Sequence, residues 1–365
     1  MRCLAWSLSA QALLVLAPGW AFAQNAITVP IEVEHNSNPS LVPDGDSAIR
    51  YRVSPRYTMT RQDGPTRSVF SLGGVVERSS NTRVSANRAD PNIGYLHEVT
   101  SPTSVLTLNA SLEKTSSRTA EFEETGLVTE DGTLQTGLLG ARWVGQLTDR
   151  TEVELAAGYA DLRYDLPLLI GYTEVNAEGI HRWQLSEGNR LEVVGTVARL
   201  NPKNDVQRSS RQGIVLGYET VLNPSVTLGA NLGAVRSTGV RRGNDAVGGV
   251  QVTYEGERLG SELAWARSVA PSGTIGGYAL SQSFTWGLSY AVSESTTLTS
   301  GVARTRALDI DGGSGSSVSV GLRSELTPHW SMNMRLEQLR ATTGSGVRAR
   351  STAVGVGFVY SHPDF

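Results

Sequence analysis

Histidine, serine and aspartate are the residues through which this chain could make or break bonds, and their spacing offers no centre. His35, His97, His181, His329 and His362 lie far apart, with no His-x-x-His or His-Glu-x-x-His run to gather a metal. No Gly-x-Ser-x-Gly elbow exposes a serine nucleophile, and no Asn-His-Ser-Asn-Gly-like run sets a serine beside a base. Asp309-Ile310-Asp311-Gly312-Gly313 has the opening of a calcium loop. A twelve-residue loop counted from Asp309 needs glycine sixth and a bidentate glutamate twelfth, where Ser314 and Val320 stand. The expectation is a protein that is not an enzyme and uses no metal or cofactor.

The remaining chemistry is electrostatic. The chain carries 32 basic residues against 35 acidic ones, and only Lys114 and Lys203 among the basic residues are lysines. That balance leaves no basic face for nucleic acid. Arginine instead alternates with apolar residues: Ile49, Tyr51, Val53, Tyr57 and Met59 share one side of an extended segment, leaving Arg50, Arg52 and Arg56 on the other. Glu32 and Glu34 sit similarly in the preceding segment, and Arg323 and Glu325 precede Arg335 and Glu337 near the other end. On a lipid-facing surface an arginine costs about 2–4 kcal/mol at the bilayer midplane, so in a membrane barrel these side chains must turn inward. There they either pair across strands and fill the bore, or leave a residual positive potential that steers an anionic or sugar-rich solute.

Strands have to place these charges, and the chain reads as strands almost throughout. Leu106, Leu108, Ala110 and Leu112 oppose Thr107, Asn109, Ser111 and Glu113. Trp330, Met332, Met334 and Leu336 oppose Ser331, Asn333, Arg335 and Glu337. Residues 318–326 and 278–292 alternate in the same way, with Ser324 and Gln282 out of pattern, whereas 133–147 and 191–200 are ambiguous. Tight turns such as Gln62-Asp63-Gly64-Pro65 and Asn223-Pro224-Ser225 alternate with variable polar loops, as at 36–47, 116–131, 201–207, 310–317 and 342–347. Eight of the first kind and nine of the second separate eighteen predicted strands. The fold class is therefore all-β: a transmembrane antiparallel up-and-down barrel, both ends on the periplasmic side of the short turns. Eighteen tilted strands close to roughly 35 Å across. No single long loop after an early strand presents itself as a constriction. A soluble β-solenoid or pair of sandwiches is the competing architecture, but no residue pattern repeats at a short period.

Residues 1–23 read as a signal peptide. Arg2 precedes an apolar stretch over 4–17, interrupted by Ser7, Ser9 and Gln11, and Ala21-Phe22-Ala23 forms a small-residue cleavage site. Pro18 and Gly19 end the run short of the ~18 apolar residues of a spanning helix. Cys3, the one cysteine, leaves with this segment, so the mature chain has neither a disulfide nor a lipid-accepting cysteine. Losing Arg2 takes the net charge from −3 to −4. Residues 24–365 then form one outer-membrane barrel domain. Its last strand carries the glycine and spaced aromatics that the barrel-assembly machinery reads, Gly355, Phe358 and Tyr360, and the chain ends on Phe365. Ala353 and His362-Pro363-Asp364 depart from that pattern.

Residues 131–159, with Trp143 ahead of Leu147-Thr148-Asp149-Arg150-Thr151, and the early Asn36-Ser37-Asn38 resemble a family of outer-membrane barrels found near exopolysaccharide and PEP-CTERM systems. The resemblance implies a role in polysaccharide secretion or surface organisation beside envelope export proteins, and it carries no site residues. The expected function is a passive channel or scaffold in outer-membrane lipid. A general or selective porin and a non-conducting, adhesin-like surface protein are the alternatives. N-terminal sequencing of the protein from an outer-membrane fraction should begin at Gln24; a chain beginning at Met1 would refute the cleavage.

Overall fold

The computed structural model describes residues 24–125, 131–309, 313–343 and 345–363. The expected signal peptide, Phe365 and residues 310–312 of the calcium-like run lie outside them. Nineteen strand segments follow one another. The first six are β1 (Gln24–Asn36), β2 (Ala48–Val53), β3 (Arg56–Asp63), β4 (Thr66–Ser79), β5 (Arg88–Ser101) and β6 (Ser104–Ser116). A short helix, α1 (Ser117–Thr125), precedes β7 (Thr133–Thr148), β8 (Thr151–Tyr164), β9 (Tyr172–Ser186) and β10 (Asn189–Pro202). Then come β11 (Ser209–Asn223), β12 (Val226–Thr238), β13 (Gly243–Glu255), β14 (Leu259–Ser272) and β15 (Gly277–Ala291). The last four are β16 (Thr296–Ala307), β17 (Ser314–Thr327), β18 (Trp330–Thr342) and β19 (Arg348–His362).

β2 and β3 are one strand. Both pair with β1 and β4, and the register does not shift between them: Ile31 opposes Val53 and Thr28 opposes Arg56. The ladder is interrupted at Ser54-Pro55 because proline has no N–H to give. The neighbouring bonds persist, Ser54 N–H to the Pro30 carbonyl at 2.9 Å and Gly74 N–H to the Pro55 carbonyl at 3.1 Å. The fold is thus a closed, antiparallel barrel of eighteen strands, each paired with its sequence neighbour, with β1 meeting β19 from Ile27–His362 to Asn36–Ala353. Gly64 takes the tight β3–β4 turn at φ 55°, a left-handed conformation that glycine adopts without strain.

Register assigns every side chain to one of two faces. Across β19, β1, β2, β4 and β5, the exposed apolar residues Phe358, Ile31, Val53, Val76 and their alternates lie on the outside, and the carboxylates and arginines between them point into the bore. On the far side Trp265, Phe284, Val318, Leu336 and Val354 continue the outer band. Trp330 and Tyr360 are register partners at the tight-turn rim, rings 5.2 Å apart, as in the aromatic girdles of such barrels.

The two ambiguous stretches are ordinary strands, β7 and β10. Near the variable-loop end their inner residues Leu134, Ala198 and Leu200 are apolar because other residues of the chain, rather than water, pack against them. The expected loop at 310–317 is shorter, since β17 begins at Ser314. Spin labels on Met332→Cys and Asn333→Cys should report lipid and water respectively; equal water exposure at both would break the assigned facing.

Candidate functional site in the bore and its mouth

Among the described residues, four ion-pair networks line the bore and its rim with one more carboxylate than arginine in each, while on the outer face Asp161 alone holds both Arg163 and Lys203. In the first, Arg50 bonds Glu34 and lies 3.9 Å from Glu77, while Arg52 bonds Glu77 at 2.7 Å and Glu32 at 3.4 Å. Two arginines thus meet three carboxylates, with Glu77 the most deeply buried of the group, its side chain 5% exposed. In the second, Arg142 bonds Glu154 at 2.5 Å, and Arg182 reaches Glu152 at 2.5 Å, Glu154 at 2.9 Å and Glu192 at 3.5 Å. Arg88 sits between Asp90 at 2.6 Å and Asp131 at 3.3 Å. Arg241 bonds Asp245 at 2.5 Å and also Asp309.

The sequence-predicted residues divide accordingly. Arg50 and Arg52 belong to the first network, so they do not form an uncompensated positive strip; Glu77, on β4, completes it. Arg56 faces Thr28 and Gly73 and makes no ion pair among the described residues. Arg323 lies opposite Asn333, and Glu325 opposite Ser331, again without ion pairs among the described residues, whereas Arg335 bonds Glu337. Gly355 leaves room for Glu32, whose Oε1 would lie 2.9 Å from an added Cβ. Phe358 is outward between Ile31 and Met332, and Tyr360 packs on Trp330.

A feature that alternation alone did not reveal closes over the mouth. The β14–β15 ladder runs unbroken to Ser272 and Gly277, so Val269, Tyr278 and Leu280 continue the row of Trp265 and Phe284. Yet these three are buried, Tyr278 to 1% exposure, against Leu134, Leu162, Leu200, Val235 and Val247 from the inner wall. The hairpin has therefore bent over the rim, turning the end of its lipid face into the bore. Gln282 marks where that face leaves the apolar band. Gly276, at φ 60°, makes the tip, and the Ile170 N–H donates to the Gly273 carbonyl at 2.7 Å. The Tyr278 hydroxyl donates to Glu174 at 3.2 Å, and the Arg211 guanidinium stacks over the Tyr278 ring at 5.1 Å while bonding the Val269 carbonyl. Asp309 accepts the Leu280 N–H at 2.8 Å.

The helix α1 adds a second cover. It follows β6 yet also lies against β14, β16 and β17, on the opposite side of the ring, so α1 reaches across the mouth. Ser116 donates to Asp131 at 2.8 Å, and Arg88 holds both Asp131 and the Gly132 carbonyl, which fixes the base of this crossing. The expectation of no constricting loop is corrected here. The signal was present in the apolar inner residues of β7 and β10, which need a partner that water cannot be.

A closed barrel of eighteen strands with an apolar outer band defines a bacterial outer-membrane protein. Solved structures share the fold. Pseudomonas aeruginosa OpdQ superposes with a TM-score of 0.53 at 9% identity, covering 93% of this chain and 99% of its own. Pseudomonas aeruginosa OccK5 (OpdH) gives 0.53 at 11%, covering 93% and 98%, and OccK1 (OpdK) gives 0.51 at 12%, covering 93% and 99%. These neighbours are outer-membrane porins, and at such identities the likeness is one of fold. No family model matches the chain, and no curated protein does.

The mouth packing can be loosened without touching the ladder. Leu200→Ala removes a side chain with 0% exposure and should cost about 2–5 kcal/mol of local packing. A spin label at Thr274→Cys should become more mobile in that variant while the strand content stays constant. An unchanged label would mean that the apolar contacts do not hold the hairpin.

Proposed function

We propose that the chain forms a passive diffusion channel for small solutes, narrowed at its outer mouth by the folded hairpin and α1, with a preference for cations. The carboxylate excess in all four ion-pair networks carries this reading. Each arginine there is at least matched by neighbouring carboxylates, so the field left in the bore is negative, and the low-dielectric wall focuses it. Glu178 and Glu262 on the same inner face, without ion pairs among the described residues, add to it, against Arg56 and Arg323. A structure of OpdK with vanillate belongs to the neighbouring fold. That ligand is a carboxylate, and anion preference is the outcome that opposes the present reading.

Polysaccharide secretion is the second reading, favoured by the strand-and-turn resemblance around Trp143. The covered mouth favours the smaller solute. In either case a cleaved segment at residues 1–23 and recognition of the last strand by the assembly machinery bring the chain to the membrane.

Planar-bilayer recording tests the proposal. The refolded barrel should conduct, and its reversal potential in a potassium chloride gradient should have the sign of cation preference. Glu77→Gln combined with Glu152→Gln should move that potential several millivolts toward anions. Silence in the bilayer would leave a scaffold or surface protein, and an anion-selective wild type would reverse the electrostatic assignment.

A further inference from the structure

The bore does not account for the strongest charge cluster on the molecule. Arg304, Arg306, Arg340, Arg348 and Arg350 are all exposed, on β16, β18 and β19. Ladder register sets them in two rows across four strands. Arg304, Ser316, Arg340 and Arg350 are successive partners, and one step farther toward the variable loops come Arg306, Ser314, Thr342 and Arg348. Both rows belong to the outer face, because Phe284, the partner of Arg304, and Leu336, four residues from Arg340 on the same strand, are lipid-facing. All of the arginines but Arg306 border a concavity of about 460 Å³.

Three observations point to an anion at this place. None of the five arginines makes an ion pair among the described residues, whereas Arg50, Arg52, Arg88, Arg142 and Arg182 on the inner face all do. Arg340 and Arg350 are direct register partners, and like charges directly opposite repel. Serine and threonine hydroxyls stand between the guanidinium groups, giving the forked and single donors that suit phosphate oxygens.

Height in the membrane identifies what the anion is attached to. Ten residues of β18 separate Arg340 from Trp330 at the aromatic rim. At about 3.4 Å per residue and a tilt near 40°, they span about 26 Å, close to the ~25 Å apolar band of outer-membrane barrels. The arginine rows therefore stand at the outer interface. Directly below them the same face carries Val318, Val320, Leu336, Val354 and Val356.

We propose that this face binds a phosphorylated lipid of the outer leaflet, with its phosphates in the arginine–hydroxyl rows and its acyl chains on the aliphatic rows below. The site is continuous from charge to hydrocarbon, which a free phosphate does not need. It rests on the orientation of the barrel in the membrane and not on what passes through the bore.

Native mass spectrometry of the purified barrel in non-ionic detergent tests this. Diphosphoryl lipid A is the probe, with phosphatidylcholine and inorganic pyrophosphate as comparisons. The wild type should retain the diphosphoryl lipid, and Arg304→Gln/Arg340→Gln/Arg350→Gln should bind it at least tenfold more weakly. Arg199→Gln/Arg236→Gln, on the outer face elsewhere on the ring, should bind like the wild type. Equal retention of phosphatidylcholine, retention of pyrophosphate without the lipid, or an equal loss in the Arg199/Arg236 variant would each overturn the proposal. Heat-modifiable gel mobility reports folding. Should the triple variant fail to fold, Arg340→Gln with Ser316→Ala is expected to weaken binding about threefold, and unchanged binding there overturns it too.

Discussion

Inside a bilayer no water is present to take up a stray backbone N–H or carbonyl, and each one left alone costs several kcal/mol. The pairing of β1 with β19 answers that constraint, because it leaves the sheet without an edge. Even the Ser54-Pro55 break, where a donor is missing, keeps its neighbours bonded on both sides. Closure also divides the side chains, since with a period of two each strand must give alternate residues to lipid and to the bore. Charge, aromatic girdle and mouth packing all depend on that division.

The two faces have opposite electrostatic character. Within the bore, Arg50, Arg52, Arg142 and Arg182 are held by carboxylates from adjacent strands, and the count favours the carboxylates in both of their networks. At the outer rim of β16–β19, arginine stands among hydroxyl groups with no carboxylate in its rows. Nearly all the positive charge is arginine, whose planar fork can hold two oxygens at once, where a lysine would offer a point charge. The same residue type thus serves cross-strand pairing inside and the water–lipid boundary outside.

Much of this was legible in the sequence. The alternation of Leu106–Leu112 against Thr107–Glu113, together with the Pro-, Asx- and Ser-containing turns, was enough for the strand number and for the side on which the short turns lie. Facing of Arg50 and Arg52 was legible too, because a misplaced arginine is costly in lipid. Their partners were not fully legible: Glu77 meets them only through the β2–β4 register, and register between strands is not written in either strand alone. The bent hairpin was also hidden. Alternation records which residues share a face but not whether the strand leaves the membrane plane, so Tyr278 and Leu280 read as lipid-facing when they had turned inward. The ambiguous stretches 133–147 and 191–200, which put Leu134, Ala198 and Leu200 on the inner face, were the trace of that packing.

The hairpin and the inner wall form a small apolar core at the mouth of an otherwise polar bore. Any widening of that mouth must bring Val269, Leu280 and Leu200 into contact with water. Hydration of apolar surface raises heat capacity, so displacing the hairpin would carry a positive heat-capacity change, as unfolding a domain does. A mouth covered by one bent apolar hairpin thus carries a temperature-dependent term that a rigid polar constriction would lack.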